Sequence, residues 1–370
     1  MSGRNARHVT YCRRMDGRGG LRRCPAAHLP HPLIRAPGRR AAAHAGGGGG
    51  VPAAAGARSV QVRGQESERA PVRQRRAGCV VAGARPAVEA VHPRNFIPKH
   101  LQLKNGILKV ADEKIQLHSI GRIFLLSVGK AAPAMALEAE KILGGKIYSG
   151  LVVTKYYHLL ALQYCTTIEA GHPVPDENSV KAAIVIKEFL KQVTKDDLLL
   201  CFISGGASAL IGDWKENISL RDAQRFTQLL LQCGAGIHEL NTVRKHLCFL
   251  KGGQLLRHTN GAAVHSFIMS DVPGDELSII ASGLTVADDS TAADAITVVK
   301  KYDLINAVPP AILNMLLAES EKEKSKTEKA KGKHAEVLGG HVVNTIIGNN
   351  KMALHAAAAC ANQLGYEAVI

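Results

Sequence analysis

DDLLLCFISGGASAL, residues Asp196–Leu210, is the stretch that decides the fold class. Its first part, Asp197–Ile203, is an almost wholly apolar run, which is typical of a strand buried on both faces. A glycine-rich turn follows it. Ile123–Val128 (IFLLSV) is a second run of this kind, and Lys130–Leu143 after it has small and apolar residues at helical spacing. Strands that alternate with helices predict an open, mostly parallel, Rossmann-like α/β sheet with helices on both faces.

The same periodicities continue along the chain. Further strands are predicted at Gly150–Thr154, Thr166–Glu169, Ala263–Met269, His341–Ile347 and Glu367–Ile370. Further helices are predicted at Asn178–Val193, Arg221–Gln232, Ile237–Leu250, Thr291–Tyr302 and Asn350–Leu364. In sheets of this class ligands bind beyond the carboxyl ends of the strands, so polar and glycine residues that follow strands are the candidates for chemistry.

Composition divides the chain into four segments. Residues 1–87 are rich in Arg, Gly and Ala, lack periodicity and are predicted to be a disordered extension. Residues 88–318 are predicted to be the α/β domain, and residues 319–335 a charged linker that forms a solvated loop. Residues 336–370 are predicted to begin an incomplete C-terminal α/β region.

The charge is concentrated at one end of the chain. The net charge is +16, but residues 1–98 hold 18 Arg, no Lys and only four acidic residues, so the remainder is nearly neutral. A basic tail is weak evidence for a specific partner, and we predict no nucleic-acid partner. No apolar run is long enough to span a bilayer, and we predict no membrane partner.

The location is predicted to be cytoplasmic. No CxxC pair occurs among the eight cysteines, which favours a reducing compartment without disulfides. The Arg-rich, acid-poor start leaves a mitochondrial transit peptide as the alternative. Its few serines and the helix-breaking Gly46–Gly50 run argue against that alternative.

The first candidate site follows the predicted strand Ile123–Val128. Gly129 and Lys130 stand where a helix begins, and a helix N-terminus offers unpaired N–H groups to an anion. Lys130 would add a full positive charge. The alternative is an ordinary surface lysine in a first helical turn.

The second candidate site is the glycine-rich turn itself. Gly205 and Gly206 permit backbone turns that aim successive N–H groups at phosphate oxygens, and the hydroxyls of Ser204 and Ser208 could add donors. The chain has neither a GxxxxGK[ST] loop nor a GxGxxG fingerprint. An SGG sequence is also a common tight turn, so the buried strand before it is what favours phosphate binding.

The third candidate site is the turn that follows the strand Ala263–Met269. Asp271 and Asp275 flank a Pro-Gly pair and could hold Mg²⁺, which prefers carboxylates with phosphate oxygens and waters. One of them could instead deprotonate or orient a substrate hydroxyl. A purely local Asp turn is the alternative.

Two cations and a histidine complete the candidates. Arg244 could contact a carboxylate or phosphate through two N–H groups, or be a surface cation of a helix. Lys251 precedes two glycines and could add positive charge at a phosphate. His172, in a proline-rich turn, could be an acid/base group, although a structural role is favoured.

In chain order these segments resemble the glycerate 2-kinase family of bacteria and animals, also called the MOFRL-associated family. The similarity spans about Val88 to Ile370. Its motifs are VGKAAPAMA (Val128–Ala136), EAGHPVPDE (Glu169–Glu177), DDLLLCFISGGASAL (Asp196–Leu210), GAGIHELNTVRKHL (Gly234–Leu247), LKGGQL (Leu250–Leu255), SDVPGDE (Ser270–Glu276) and IASGLTVADD (Ile280–Asp289).

The resemblance implies an enzyme that phosphorylates D-glycerate with ATP and Mg²⁺. It implies catalytic roles for Lys130, Arg244, Asp271 and Asp275, with the two aspartates as metal ligands. ATP would lie against Ser204, Gly205, Gly206, Ser208 and Lys251. A homodimer is left open, as are two alternatives: a hydroxypyruvate reductase-like enzyme of small acids, and a non-catalytic remnant that binds a ligand.

Some residues depart from the family pattern. Ala207 stands where a third glycine is usual, Cys248 where serine is usual, and Leu284 and Ala287 where prolines are usual. The GGE, GGRNQE and SGGTDG-like motifs of the family do not occur up to Ile370. We therefore expect little or no kinase turnover from this chain.

Overall fold

The computed structural model describes residues 61–64, 85–326, 340–364 and 366–370. The strands are β1 Gln61–Gly64, β2 Leu101–Lys104, β3 Ile107–Val110, β4 Glu113–Gln116, β5 Ile123–Val128, β6 Ile147–Lys155, β7 Cys165–Ala170, β8 Leu198–Ser204, β9 Ala263–Met269, β10 Val342–Gly348 and β11 Tyr366–Val369. The α-helices include α1 Pro93–His100, α2 Ala132–Leu143, α3 Glu177–Leu190, α4 Ala207–Leu210, α5 Leu220–Gln232, α6 Ile237–Leu247, α7 Ala292–Lys301, α8 Pro310–Lys326 and α9 Asn350–Gln363.

Six parallel strands form the central sheet in the spatial order β10-β9-β8-β5-β6-β7. The chain starts the sheet at β5, builds outward to β7, and then returns to place β8 on the other side of β5. This is the strand order of doubly wound dinucleotide-binding sheets, whose ligands lie at the point where the order reverses. The predicted fold class is therefore confirmed, and the reversal lies between β5 and β8.

The two strands at the reversal are apolar because both faces of the sheet are covered. Alternate residues of a strand point to opposite faces. Accordingly, Phe124 and Leu126 pack in a core with Ile186 of α3, while Leu125 packs in a second core with Met135 of α2. A third apolar cluster joins α5, α6, α7 and α8.

A small antiparallel sheet, β2-β3-β4, and the helix α1 were not predicted. The hairpin between β2 and β3 turns through Asn105 and Gly106, which both have positive φ, and Lys104 pairs with Ile107 across them. Asn-Gly is the strongest short hairpin signal. Both flanking strands are only four residues long, with one Lys each, so their apolar pattern is short.

The predicted linker and C-terminal region need correction. Helix α8 runs through Lys326 into the predicted loop 319–335, because its Glu and Lys residues are good helix formers. Residues 327–335 of that segment lie outside the described residues. Strand β10 does not begin a separate region, since it pairs in parallel with β9 and extends the central sheet.

The predicted disordered extension falls mostly outside the described residues. Within residues 1–87 the structure describes only β1, which pairs antiparallel with β11, and the helical residues 85–87. Among the described residues no helix is both long enough and apolar enough to cross a membrane.

Candidate active site

The loops that follow β5 and β8 are joined by hydrogen bonds at the point where the strand order reverses. The Lys130 amide donates to the Gly205 carbonyl over 3.0 Å, and the Ala131 amide donates to Ser204 Oγ over 3.1 Å. Ser204 is completely buried. Its hydroxyl therefore holds the two loops together rather than facing a ligand, which differs from its predicted role as a surface donor.

Glycine is required where these loops touch. Gly129 has a φ of +132°, and a Cβ built on it would overlap Ser204. Gly206 has a φ of +90°, a conformation that L side chains rarely adopt. The two loops can approach this closely only because both positions lack a side chain.

Three polar side chains converge on Gly205 and Gly206. A Cβ on Gly205 would overlap the carboxylate of Asp271. A Cβ on Gly206 would lie 2.9 Å from both His172 Nε2 and Lys130 Cε. Residues from the loops after β5, β7, β8 and β9 thus meet at the carboxyl edge of the sheet, as expected for parallel strands.

The contact between Lys130 and Asp271 is loose. Lys130 Nζ lies 3.7 Å from Asp271 Oδ2, and the two side chains are 42% and 56% exposed. Both charged groups therefore remain open to solvent and to a ligand. A carboxylate oxygen and a cation beside a backbone without Cβ atoms suit a phosphate group with Mg²⁺.

His172 is held in this cluster by Asp176. The Asp176 carboxylate accepts hydrogen bonds from the amides of Gly171 and Ser179, both over 3.0 Å, and from the Tyr156 hydroxyl. It closes the turn that carries His172 and also caps α3 in a capping box. The turn has little freedom to move away from Gly206.

The electrostatic surroundings of His172 are cationic. Burial lowers the pKa of His172, and Lys130, Lys155 and Arg244 lower it further, whereas Asp271 opposes them. The imidazole is therefore neutral at pH 7. Three cations and one carboxylate around a neutral ring form a setting that favours an anionic ligand.

Arg244 borders the cluster from α6. It lines a cavity of about 30 Å³ together with Pro173 and Ser208, which is room for about one water molecule. Burial lowers the pKa of its guanidinium. Within the described residues the guanidinium has no hydrogen-bond or ion-pair partner, so its N–H groups are available to a ligand.

Ser208 has a different role from the predicted one. Ser208 Oγ and Ser282 Oγ are 2.7 Å apart, and Ser282 donates to Asn241 Oδ1 over 2.8 Å. Because Ser282 has only one hydroxyl proton, Ser208 must be the donor to Ser282. The Ser208 hydroxyl therefore joins the glycine-rich loop to α6 and has no proton left for a phosphate.

Lys251 also differs from its predicted role. Its side chain is 2% exposed, and Nζ donates to Asp213 Oδ1 and to the Ile211 carbonyl over 2.8 Å each, with Cys248 Sγ at 3.2 Å. Burial is the largest single influence and opposes the charged form, but Asp213 and Cys248 together outweigh it and raise the pKa of Lys251. All three donors are occupied, so we leave Lys251 out of the proposed site.

Asp275 lies on the same turn as Asp271 but has another partner. Asn349, the residue that caps α9, donates to Asp275 Oδ2 over 2.6 Å. Asp271 instead lies against Gly205. The two predicted metal ligands thus contact different elements, and only Asp271 belongs to the cluster at Gly205 and Gly206.

Comparison with known proteins identifies the family of this chain. Residues 80–317 match the family described as domain of unknown function DUF4147. The chain belongs to this family. Its resemblance to the glycerate 2-kinases, expected from the ordered motifs, is also confirmed by relatives of that name.

Two relatives of the DUF4147 chain and one crystal structure illustrate the similarity. D-glycerate 2-kinase of Thermotoga maritima is 40% identical over 221 residues, 60% of this chain and 52% of that protein. Glycerate 2-kinase of Pyrococcus horikoshii is 38% identical over 268 residues, 71% of this chain and 59% of that protein. The crystal structure of glycerate kinase from Thermotoga maritima is 33% identical, with a TM-score of 0.61 over 79% of this chain and 63% of that one.

The activity of these relatives cannot be assigned to this chain directly, because the chain matches only part of their length. The chain spans a little over half the length of the two kinases, so their activity is a hypothesis for it.

The sequence analysis did not identify Lys155, the last residue of β6. The predicted strand ended one residue earlier, at Thr154. Searching the end of that strand for charge would have found Lys155.

Proposed function

We propose that this site serves ATP-dependent phosphorylation of D-glycerate, the phosphotransfer reaction of a glycerate kinase. One observation carries the proposal: Lys130, His172 and Asp271 converge on Gly205 and Gly206 at the reversal of a parallel sheet. Phosphoryl transfer requires positioning and neutralisation of phosphate charge more than covalent catalysis. The proposed site offers cations, a carboxylate and a glycine backbone together.

Different cations of the site would bind the anionic groups of the two substrates. ATP brings phosphates and D-glycerate brings a carboxylate, and both form strong charge-assisted hydrogen bonds with Lys and Arg side chains. Lys130 is the best placed for a phosphate, since it lies beside Gly206. Arg244, whose guanidinium has no partner among the described residues, suits the carboxylate. Lys155 is near enough to His172 to lower its pKa and would add another positive charge.

Asp271 would act on the substrate hydroxyl or on Mg²⁺. Its half-exposed carboxylate can accept the hydroxyl proton or hold the ion. Mg²⁺ would neutralise charge on the phosphate oxygens. Asp275 would join as a second ligand only by giving up its hydrogen bond from Asn349.

Ligand binding by Lys130 tests the site directly. In the tag-free chain, ATP with Mg²⁺ and D-glycerate should raise the melting temperature, because a ligand that binds only the folded state stabilises it. Lys130→Ala should weaken ATP–Mg²⁺ binding by more than about tenfold, or ~1.4 kcal/mol. Lys146→Ala, at an exposed lysine far along the sheet, is the matched control. A loss below about tenfold would contradict the role of Lys130.

Turnover and the two alternatives need separate assays. A coupled assay of ADP release with D-glycerate measures kinase activity, and turnover that depends on D-glycerate would support the proposed function directly. Oxidation of NADH with hydroxypyruvate would favour a reductase instead. An unchanged melting temperature with every substrate would favour a non-catalytic protein.

A further inference from the structure

A second cluster of polar side chains lies at the amino ends of β9 and β10. His265 is near the start of β9, His341 directly precedes β10, and Glu113 is the first residue of β4 in the small sheet. One ligand atom from each of the three lies within 4.8 Å of the others. The cluster is at the opposite edge of the sheet from Lys130 and Asp271, which follow the carboxyl ends of their strands.

The buried member of this cluster lacks hydrogen bonds. His265 is 2% exposed, and neither of its ring nitrogens has a hydrogen-bond partner among the described residues. The nearest Glu113 oxygen is 3.6 Å from His265 Nε2, beyond a normal hydrogen bond. A buried donor or acceptor without a partner destabilises the fold. An ion bound to Nε2 would provide a partner for one of the two unpaired nitrogens.

The spacing of the three groups suits a tetrahedral ion. Bonds of about 2.1 Å place neighbouring ligand atoms of such an ion roughly 3.4 Å apart. The two histidines lie near different oxygens of Glu113: Oε1 is 2.8 Å from His341 Nε2, and Oε2 is 3.6 Å from His265 Nε2. Because one ligand atom from each residue lies within 4.8 Å of the other two, small side-chain movements would bring the three to tetrahedral spacing.

We propose that Glu113, His265 and His341 form a binding site for a divalent transition-metal ion of the Zn²⁺ type. Two imidazole nitrogens with one carboxylate oxygen and an open fourth position are a known zinc ligand set. Mg²⁺ and Ca²⁺ prefer oxygen ligands, so this site does not compete for the Mg²⁺ of the proposed kinase site.

The site would join two parts of the fold. Its ligands come from the small sheet and from two neighbouring strands of the central sheet, with His265 paired to Val343 in the β9–β10 ladder. An ion bound to all three would fix β4 to the edge of the central sheet. Because the site lies away from Gly205 and Gly206, the ion changes the stability of the protein and takes no part in phosphoryl transfer.

Zn²⁺ binding by the tag-free, chelator-treated full chain tests the site. Isothermal titration should give one tight Zn²⁺ per chain, together with a raised melting temperature. His341→Ala removes a ligand whose side chain is 60% exposed, and Glu113→Gln keeps the shape of the side chain. Each should lower the Zn²⁺ affinity by more than about tenfold, since even outer-shell partners contribute about 10–100-fold. His118→Ala, an exposed histidine close to β4, should leave the affinity unchanged.

Co²⁺ provides a second readout that does not depend on stability. The wild-type chain and His118→Ala should give the intense visible absorption of tetrahedral Co²⁺ with nitrogen and oxygen ligands, whereas Glu113→Gln and His341→Ala should not. Equal Zn²⁺ affinity and equal Co²⁺ absorption in Glu113→Gln, His341→Ala and the wild type would overturn the proposal. The absence of any tight Zn²⁺ in the wild type would also overturn it.

Discussion

At the residue scale, the candidate active site depends on the absence of side chains at two glycines. Gly205 lies under the Asp271 carboxylate, and Gly206 lies under Lys130 and His172. Any side chain at these positions would occupy the space where the polar groups meet. The glycines therefore contribute the shape of the site, and the charged residues contribute its chemistry.

Gly205→Ala should weaken ATP–Mg²⁺ binding by about tenfold or more. The added methyl group overlaps Asp271 and must displace its carboxylate from the loop. Calorimetric titration measures the affinity. Gly145→Ala is the matched control, since the nearest atom to its new methyl group is Tyr164 Oη at 4.0 Å. An unchanged affinity in Gly205→Ala would show that Asp271 has no role in binding.

Lys251→Met should destabilise the protein by about 3–5 kcal/mol, because it leaves the Asp213 carboxylate buried without a counter-charge. Urea unfolding measures the change. Lys191→Met breaks an exposed ion pair with Glu188 and should cost at most about 1 kcal/mol. Adding Asp213→Leu to Lys251→Met should recover part of the loss. A cost for Lys251→Met no larger than for Lys191→Met would contradict the structural role of Lys251.

At the scale of elements, the turn before α3 combines a helix cap with the placement of a site residue. Asp176 closes the turn that carries His172 and caps α3 in the same conformation. The Asp176 cap stabilises the N-terminus of α3, and α3 in turn holds the preceding loop in place. Stability and site geometry therefore depend on one carboxylate.

Asp176→Ala should cost about 1–2 kcal/mol of folding stability and also weaken ligand binding. The first effect is the lost cap, and the second follows because Gly171 and Tyr156 lose their acceptor and release His172. Thr291→Ala removes the cap of α7 and is the control for the first effect alone. If both variants bind ATP–Mg²⁺ equally well, the turn does not position the site.

At the scale of the whole molecule, acid should destabilise the protein. Burial lowers the pKa of His100 and His258. Below the ordinary histidine value of about 6.5 the unfolded chain binds more protons than the folded one, so stability falls as the pH falls through that range. Urea unfolding in the presence of a chelator at several pH values measures the slope. His258→Gln should reduce the slope, and an unchanged slope would contradict the assignment.

The architecture and three residues of the proposed site could be predicted from the sequence. Continuous apolar runs marked β5 and β8 as strands covered on both faces, and the residues after three strands included Lys130, Gly205 and Asp271. These three come together because the carboxyl ends of parallel strands share one edge of the sheet. Hydrophobic periodicity is a local property, and it survives in the sequence without knowledge of the fold.

The sequence by itself therefore determined the fold class and the edge of the sheet that carries the site. The tertiary structure alone decided the strand order and the partner of each polar side chain. Ser208 donates to Ser282 and Lys251 pairs with Asp213, and in both cases the partner is distant along the chain. A polar residue next to a glycine-rich loop looks the same in sequence whether it binds a ligand or a neighbouring side chain. Only the atoms packed around it distinguish the two roles.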